Sequence, residues 1–270
     1  MCLITFSFDP GSTRFLLLAA NRDEFHERPA RPMAWWFPEP ILAGRDERAG
    51  GTWLAVDRNG RWAAVTNVRD PAAAGGTRSR GELPLGFLRS DDTPEAYALW
   101  VQSTQSEFGP FNLLVGDPST LWWASSHAPA CAVAPGIHTL SNGALDEAWP
   151  KSTRIAARFE SLRSKPFEIN PLLDLMHDTE PAEDQALPDT GVGMNIERFL
   201  SSPFIVSERY GTRCTTVMAL GVEHRVCERR FEPSARALGQ LDYRWSGWGR
   251  CARGTPTQNR PVSNALRASE

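Results

Sequence analysis

The chain has 270 residues, 41% of them hydrophobic and 23% charged, with a formal net charge of -3 and a pI near 6.0. This is ordinary globular composition at a length that buries a substantial core, and it points to one large domain rather than two. Scattered arginines leave no electrostatic footprint for nucleic acid, and FLLLAA, followed at once by NRDE, is too short for a membrane helix or a signal peptide. A cytoplasmic protein without a nucleic-acid partner is expected. The five cysteines include no CxxC pair, and the five histidines never fall at i, i+3 or i, i+4. Reduced thiols and no metal site are expected from those spacings, and no resident cofactor is expected.

In chain order, CLITFSF and RFLLLAA flank the turn cluster DPGST and predict an antiparallel hairpin. That pairing would bring Cys2, at the start of the first strand, beside Asn21, Arg22 and Asp23 at the end of the second. The Pro-rich stretch HERPARPMAWWFPEP is expected to wrap over a surface or rim a pocket, with Trp35 and Trp36 as candidate ligand-binding rings and Arg22 as a third substrate-binding candidate. GTWLAV and RWAAVTN around Asp57-Arg58-Asn59-Gly60 predict a second hairpin, which Asn67 ends. Thr93-Pro94-Glu95 is a helix start leading into AYALWVQ. FNLLVGD, LWWASS, ACAVA and GIHTL then read as strands. Helical spacing returns from Lys151 to Arg163 and again near Pro171 to His177. An acidic loop or lid is expected over residues 178–193, and CTTVMAL and HRVCERRFE read as a last pair of strands. Beyond about Ser234 the composition turns to Arg, Gly, Pro and Ser, so residues 234–270 are expected to form an extension whose last twenty-five or so residues are mobile. Two antiparallel sheets covered by helices fit this order.

Cys2 is the most informative residue of the chain. Initiator methionine is removed when the second side chain is small, which would expose an α-amine beside this thiol. A thiol needs a base to become a nucleophile, and an α-amine with a pKa of roughly 7.7–8.0 titrates near neutrality. One residue could then supply nucleophile and base together. The alternative is a small apolar residue opening a buried strand.

The segments MCLITF, AANRDEF, GGTWLAV, AAVTNVRDP, LSNGALDEAWPK, LPDTGVG and YGTRCTTVM, spread in order from Met1 to Phe231, resemble the NRDE family, the transport and Golgi organisation protein 2 family. The resemblance implies a domain over residues 1–233 with an α+β fold, the four-layer αββα sandwich of N-terminal nucleophile hydrolases. It also implies a distant likeness to penicillin V acylases and bile-salt hydrolases, in which an N-terminal cysteine cleaves a linear amide. Cys2 matches the nucleophile and Asp23 the acid that orients the terminal amine. Asn67 falls where an oxyanion donor is supplied, Asn142 resembles the asparagine of their LTNxP segment, and Arg213 resembles their late arginine. Position 20, where those enzymes carry an arginine, is Ala here, and Arg22 adjoins Asp23 instead, so in a strand the two point to opposite faces. Three readings stay open: an amidase acting through Cys2, a carrier that uses the pocket for haem or a lipid-like or acyl-CoA-like ligand, and a structural protein. No CxxCH is present for covalent haem attachment.

Overall fold

A computed structural model describes residues 2–73 and 75–246. Met1, and with it the question of methionine removal, lies outside the described residues, as does the tail from residue 247 onward. The fold is α+β and rests on two sheets in which every strand pair is antiparallel.

The first hairpin forms as predicted, from β1 (Cys2–Phe8) and β2 (Arg14–Phe25). The next two strands, β3 (Ala30–Trp36) and β4 (Ile41–Asp46), replace the irregular wrap expected of the Pro-rich stretch. Pro32 is tolerated because β3 is an edge strand and its pairing with β4 breaks between Arg31 and Ala34. The second hairpin is β5 (Leu54–Asp57) and β6 (Trp62–Asn67), whose turn is held by Asp57 Oδ1 accepting from the N–H groups of Asn59 and Arg61. Helix α1 (Glu82–Arg89) was not expected; α2 (Pro94–Ser103) was, and Thr93 Oγ1 caps it by accepting from Ala96 N at 3.2 Å.

Strands β7 (Phe111–Gly116), β8 (Leu121–Ser125), β9 (Ala128–Ala132) and β10 (Gly136–Leu140) follow, then helices α3 (Pro150–Arg163), α4 (Ile169–Leu175) and α5 (Met194–Phe199). The chain closes with β11 (Tyr210–Gly221), β12 (Glu223–Phe231) and β13 (Ala237–Ser246). The last of these was not legible in the sequence and pairs along β12 at the sheet edge. Sheet order is β10-β1-β2-β11-β12-β13 in one sheet and β3-β4-β5-β6-β7-β8-β9 in the other.

Strand periodicity distributes the apolar residues over three clusters. Ile4, Phe6, Leu16, Leu18 and Met218 of the first sheet meet Leu54, Trp62 and Leu114 of the second. Their neighbours point the other way: Leu3, Leu17 and Val217 pack with Ile155, Phe159 and Leu172 of α3 and α4. Ala63, Val65 and Leu113 likewise pack with Leu83, Phe87 and Val101 of α1 and α2. Both faces of each central strand are therefore buried, which explains runs such as LLLAA that never alternate with polar residues. Among the described residues no helix is long and apolar enough to cross a membrane.

Candidate active site

Pairing register brings the candidate residues together. Cys2 on β1 sits opposite Arg22 on β2, Arg22 opposite Cys214 on β11, and Cys214 opposite Arg230 on β12. Paired residues share a face, so these four side chains form one row on the side that carries Ile4 and Ala20. The row opens on a cavity of about 500 Å³, to which the other sheet contributes Asp46, Val65 and Asn67, and the segment before α1 contributes Arg80.

The NRDE tetrapeptide divides by strand parity. Asn21 faces α4: its Nδ2 donates to Met176 O at 2.8 Å and Pro203 O at 2.9 Å, while its Oδ1 accepts from Thr215 Oγ1 at 2.6 Å. Arg22, on the opposite face, lies 3.6 Å from Asp46 and 3.8 Å from Glu24. Asp23 is buried, accepts from Thr212 Oγ1 at 2.6 Å and also borders the cavity. Burial pushes its carboxyl up, against the opposing pull of Lys151, the Thr212 hydroxyl and Arg22. Lys151 is itself buried, which brings its ammonium down to about 8, and its Nζ donates to Leu200 O at 3.0 Å.

Arg213 owes its position to a β-bulge. Thr212 pairs with Asp23 and Cys214 with Arg22, so Arg213 is an extra residue between consecutive partners. Bulges re-aim side chains, and here the guanidinium borders the cavity with Nη1 donating to Phe25 O at 2.9 Å and Arg28 O at 3.0 Å.

The two asparagines occupy different depths. Asn67 borders the cavity, whereas Asn142 is buried behind it and is not part of the wall. Asn142 Nδ2 donates to Asn67 O at 2.9 Å and to Asn67 Oδ1 at 3.1 Å. Because Asn67 Oδ1 faces a donor, the Asn67 amide is oriented; its own Nδ2 donates one N–H to Val68 O at 3.4 Å and keeps the second for a ligand. Ser141 Oγ adds a bond to Cys2 O at 3.2 Å, tying this corner to the first strand.

Burial raises the Cys2 thiol above its ordinary range; Asp23 adds to this and Arg22 opposes it. The thiol is thus held as the protonated form, so a proton acceptor is required before it can attack.

Trp35 and Trp36, expected as ligand-binding rings, stand away from this cavity. Trp35 packs edge-on against Trp245 at 5.1 Å under Arg58, and Trp36 donates its Nε1–H to Ala43 O under Arg45. Only the far end of β3, at Ala30 to Pro32, reaches the wall, and the tryptophan that does so is Trp53. Sequence reasoning missed Arg80, Cys214, Glu228 and Arg230. The last three are visible only once β11 and β12 are placed in register with β2 and β1.

The sequence profile of the transport and Golgi organisation 2 family matches residues 1–233. The human Transport and Golgi organization protein 2 homolog is 32% identical over 252 residues, which is 84% of this chain and 91% of that protein. The mouse and bovine homologs are 32% identical over 251 residues with the same coverage. Among solved structures, a Caenorhabditis elegans N-acylethanolamine-hydrolyzing acid amidase ortholog superposes with a TM-score of 0.41 and 9% identity, covering 80% of this chain and 92% of that one.

Proposed function

The chain belongs to the transport and Golgi organisation 2 family, and we propose that it is an N-terminal nucleophile hydrolase that cleaves a linear carbon–nitrogen amide through Cys2. The observation that carries this reading is that Cys2, Arg22, Asp23, Asn67 and Arg213, scattered through the sequence, border one cavity. The three apolar clusters, one between the sheets and one between each sheet and its helices, support the accompanying fold reading of a four-layer αββα sandwich.

In the mechanism, removal of Met1 frees the α-amine of Cys2, and Asp23 holds the resulting terminus. The amine takes the thiol proton as Sγ attacks the acyl carbon. The amide Nδ2 of Asn67, fixed by Asn142, donates to the oxyanion, an interaction worth roughly 3–4 kcal/mol in comparable sites. Collapse of the tetrahedral intermediate breaks the C–N bond, the amine leaves with the proton, and a thioester remains on Cys2. Water then attacks the thioester, the α-amine again relays the proton, and the acid is released with the free thiol restored. Asn142 acts as a positioning residue for Asn67.

The reading is tested by hydrolysis of a panel of N-acyl amides by wild type and Cys2→Ala. Turnover present in wild type and lost in the variant supports it. Ligand binding that survives Cys2→Ala, with no turnover in either protein, would instead favour a carrier.

A further inference from the structure

The charge lining the cavity is unbalanced. Seven arginines and four carboxylates border it, so the question is which arginines are neutralised. Arg22 and Arg28 share Glu24 and Asp46 at 2.5 to 3.8 Å, and Arg31 pairs with Glu47 at 2.6 Å. The remaining two carboxylates are engaged elsewhere: Asp23 by Thr212, and Glu228 by the main-chain N–H of Met33 at 2.9 Å. Four of these arginines make no ion pair with any carboxylate among the described residues: Arg45 is exposed and lies over the Trp36 ring, Arg230 acts electrostatically on Glu228, and the other two are Arg80 and Arg213.

Both are nonetheless drawn into the protein. Arg80 is partly buried and tethered through Nη1 to Pro110 O at 2.7 Å, and Arg213 is partly buried and tethered through Nη1 to two carbonyls. Burial lowers the pKa of each guanidinium, and Arg80 feels the Cys2 thiol and Glu24 electrostatically. Removing a guanidinium from water without a counter-ion costs free energy. A single tethered nitrogen fixes each fork while leaving the rest of the planar donor set for a ligand, and that donor set matches carboxylate and phosphate oxygens.

We infer that Arg80 and Arg213 form an anion subsite beside Cys2, and that the ligand of this cavity carries a carboxylate or phosphate group. As a statement about substrate this rests on the hydrolase reading, since it makes the cleaved amide an anionic one; the subsite itself does not depend on turnover. Arg22 and Arg28, already matched by Glu24 and Asp46, serve as the neutral frame around it.

The test titrates the full chain by calorimetry with inorganic pyrophosphate and, separately, with glutarate. Saturable binding in the millimolar range or tighter is expected for at least one, and which one binds distinguishes phosphate from carboxylate. Arg80→Gln and Arg213→Gln should each weaken that binding about tenfold, Arg80→Lys should recover only part of it because the ammonium lacks the planar fork, and Arg89→Gln, whose guanidinium pairs with Glu39 away from the cavity, should leave it unchanged. In parallel, Cys2 alkylation by iodoacetate relative to iodoacetamide should exceed the same ratio at the exposed Cys131 of the same molecule, and should fall toward the Cys131 ratio in either glutamine variant. Absence of saturable binding for both anions, or binding indifferent to both glutamine variants, would overturn the proposal. Anion binding together with a Cys2 inert to iodoacetamide would uphold the subsite while counting against the hydrolase reading.

Discussion

Replacing Arg69 with Met should be among the most damaging single changes away from Cys2. Arg69 follows Asn67 by two residues, and its N–H donates to Asn142 O at 2.7 Å. Its guanidinium pairs with Glu197 of α5, with both side chains nearly inaccessible at 6% and 3%, and lies over the Trp149 ring at 4.8 Å. Glu197 also accepts from Thr190 N at 2.9 Å and from Thr190 Oγ1 at 2.5 Å. Arg69→Met strands that carboxylate in a poorly solvated site, and breaking a buried pair from one side costs about 3–5 kcal/mol. For a chain of this size that lowers Tm by roughly 6–20 °C. Glu197→Gln keeps an acceptor for Thr190, so the double variant should be less destabilised than the sum of the singles, by about 2–3 kcal/mol. Urea unfolding at pH 7, with midpoints compared at constant m-value, measures all four corners of the cycle. A cost below about 1 kcal/mol for Arg69→Met, or additivity within about 0.5 kcal/mol, would refute the reasoning that Arg69 and Glu197 act as a coupled buried pair.

Asn142→Ala removes both bonds to Asn67 and should cost about 2 kcal/mol of stability; kcat on a hydrolysed amide should fall about tenfold or more with KM little changed, whereas a parallel change in both would mean that Asn142 acts on binding. His224 is buried, which brings its imidazole down to about 4. The unfolded chain takes up that proton below about 6.5 while the folded chain stays neutral, so stability should decline as pH falls from about 6.5 to about 4, by up to about 3 kcal/mol. Comparing urea midpoints of wild type and His224→Gln across that window checks this, and an unchanged acid slope in the variant would contradict it. At Gly51 a Cβ would lie 2.5 Å from the Gly81 main chain, where Thr52 N donates to Gly81 O at 3.0 Å. Gly51→Ala should therefore destabilise by about 1–3 kcal/mol and, by displacing the neighbouring Arg80, weaken pyrophosphate binding measured by calorimetry.

Much of the frame was legible because local signals and tertiary packing agree there. DPGST and Asn59-Gly60 mark turns, the flanking runs are long and apolar, and Thr93-Pro94 starts a helix. Legibility failed where tertiary context overrides local preference. Pro32 argues against a strand until β3 is known to be an edge, and α1 carries Pro84 and Gly86 within eight residues. Strand β13 is rich in polar residues because it pairs only with β12 at a sheet edge. Within the site, Cys2 and Arg22 were expected to be neighbours from the hairpin alone, and their opposition in register follows from it. Arg80 carried no signal, since it enters the cavity through the Gly51–Gly81 approach and a tether to Pro110, both long-range contacts. The bulge at Arg213 depends likewise on the pairing of β11 with β2, which no short window of sequence encodes. The resemblance brings both Asn142 and Asn67 to the site, and only their burial and the hydrogen bonds between them separate the inner residue from the one that borders the cavity.

The central claim is that Cys2, as the mature N-terminus, becomes acylated during turnover. Intact-mass spectrometry of the protein quenched in acid after mixing with an activated N-acyl anilide reads both parts at once. The account predicts a chain lacking Met1 that carries one acyl group, localised by peptide mapping to Cys2 and missing from Cys2→Ala. Met1 retained on nearly all molecules would contradict the account, and so would anilide turnover that persists in Cys2→Ala without an acyl adduct.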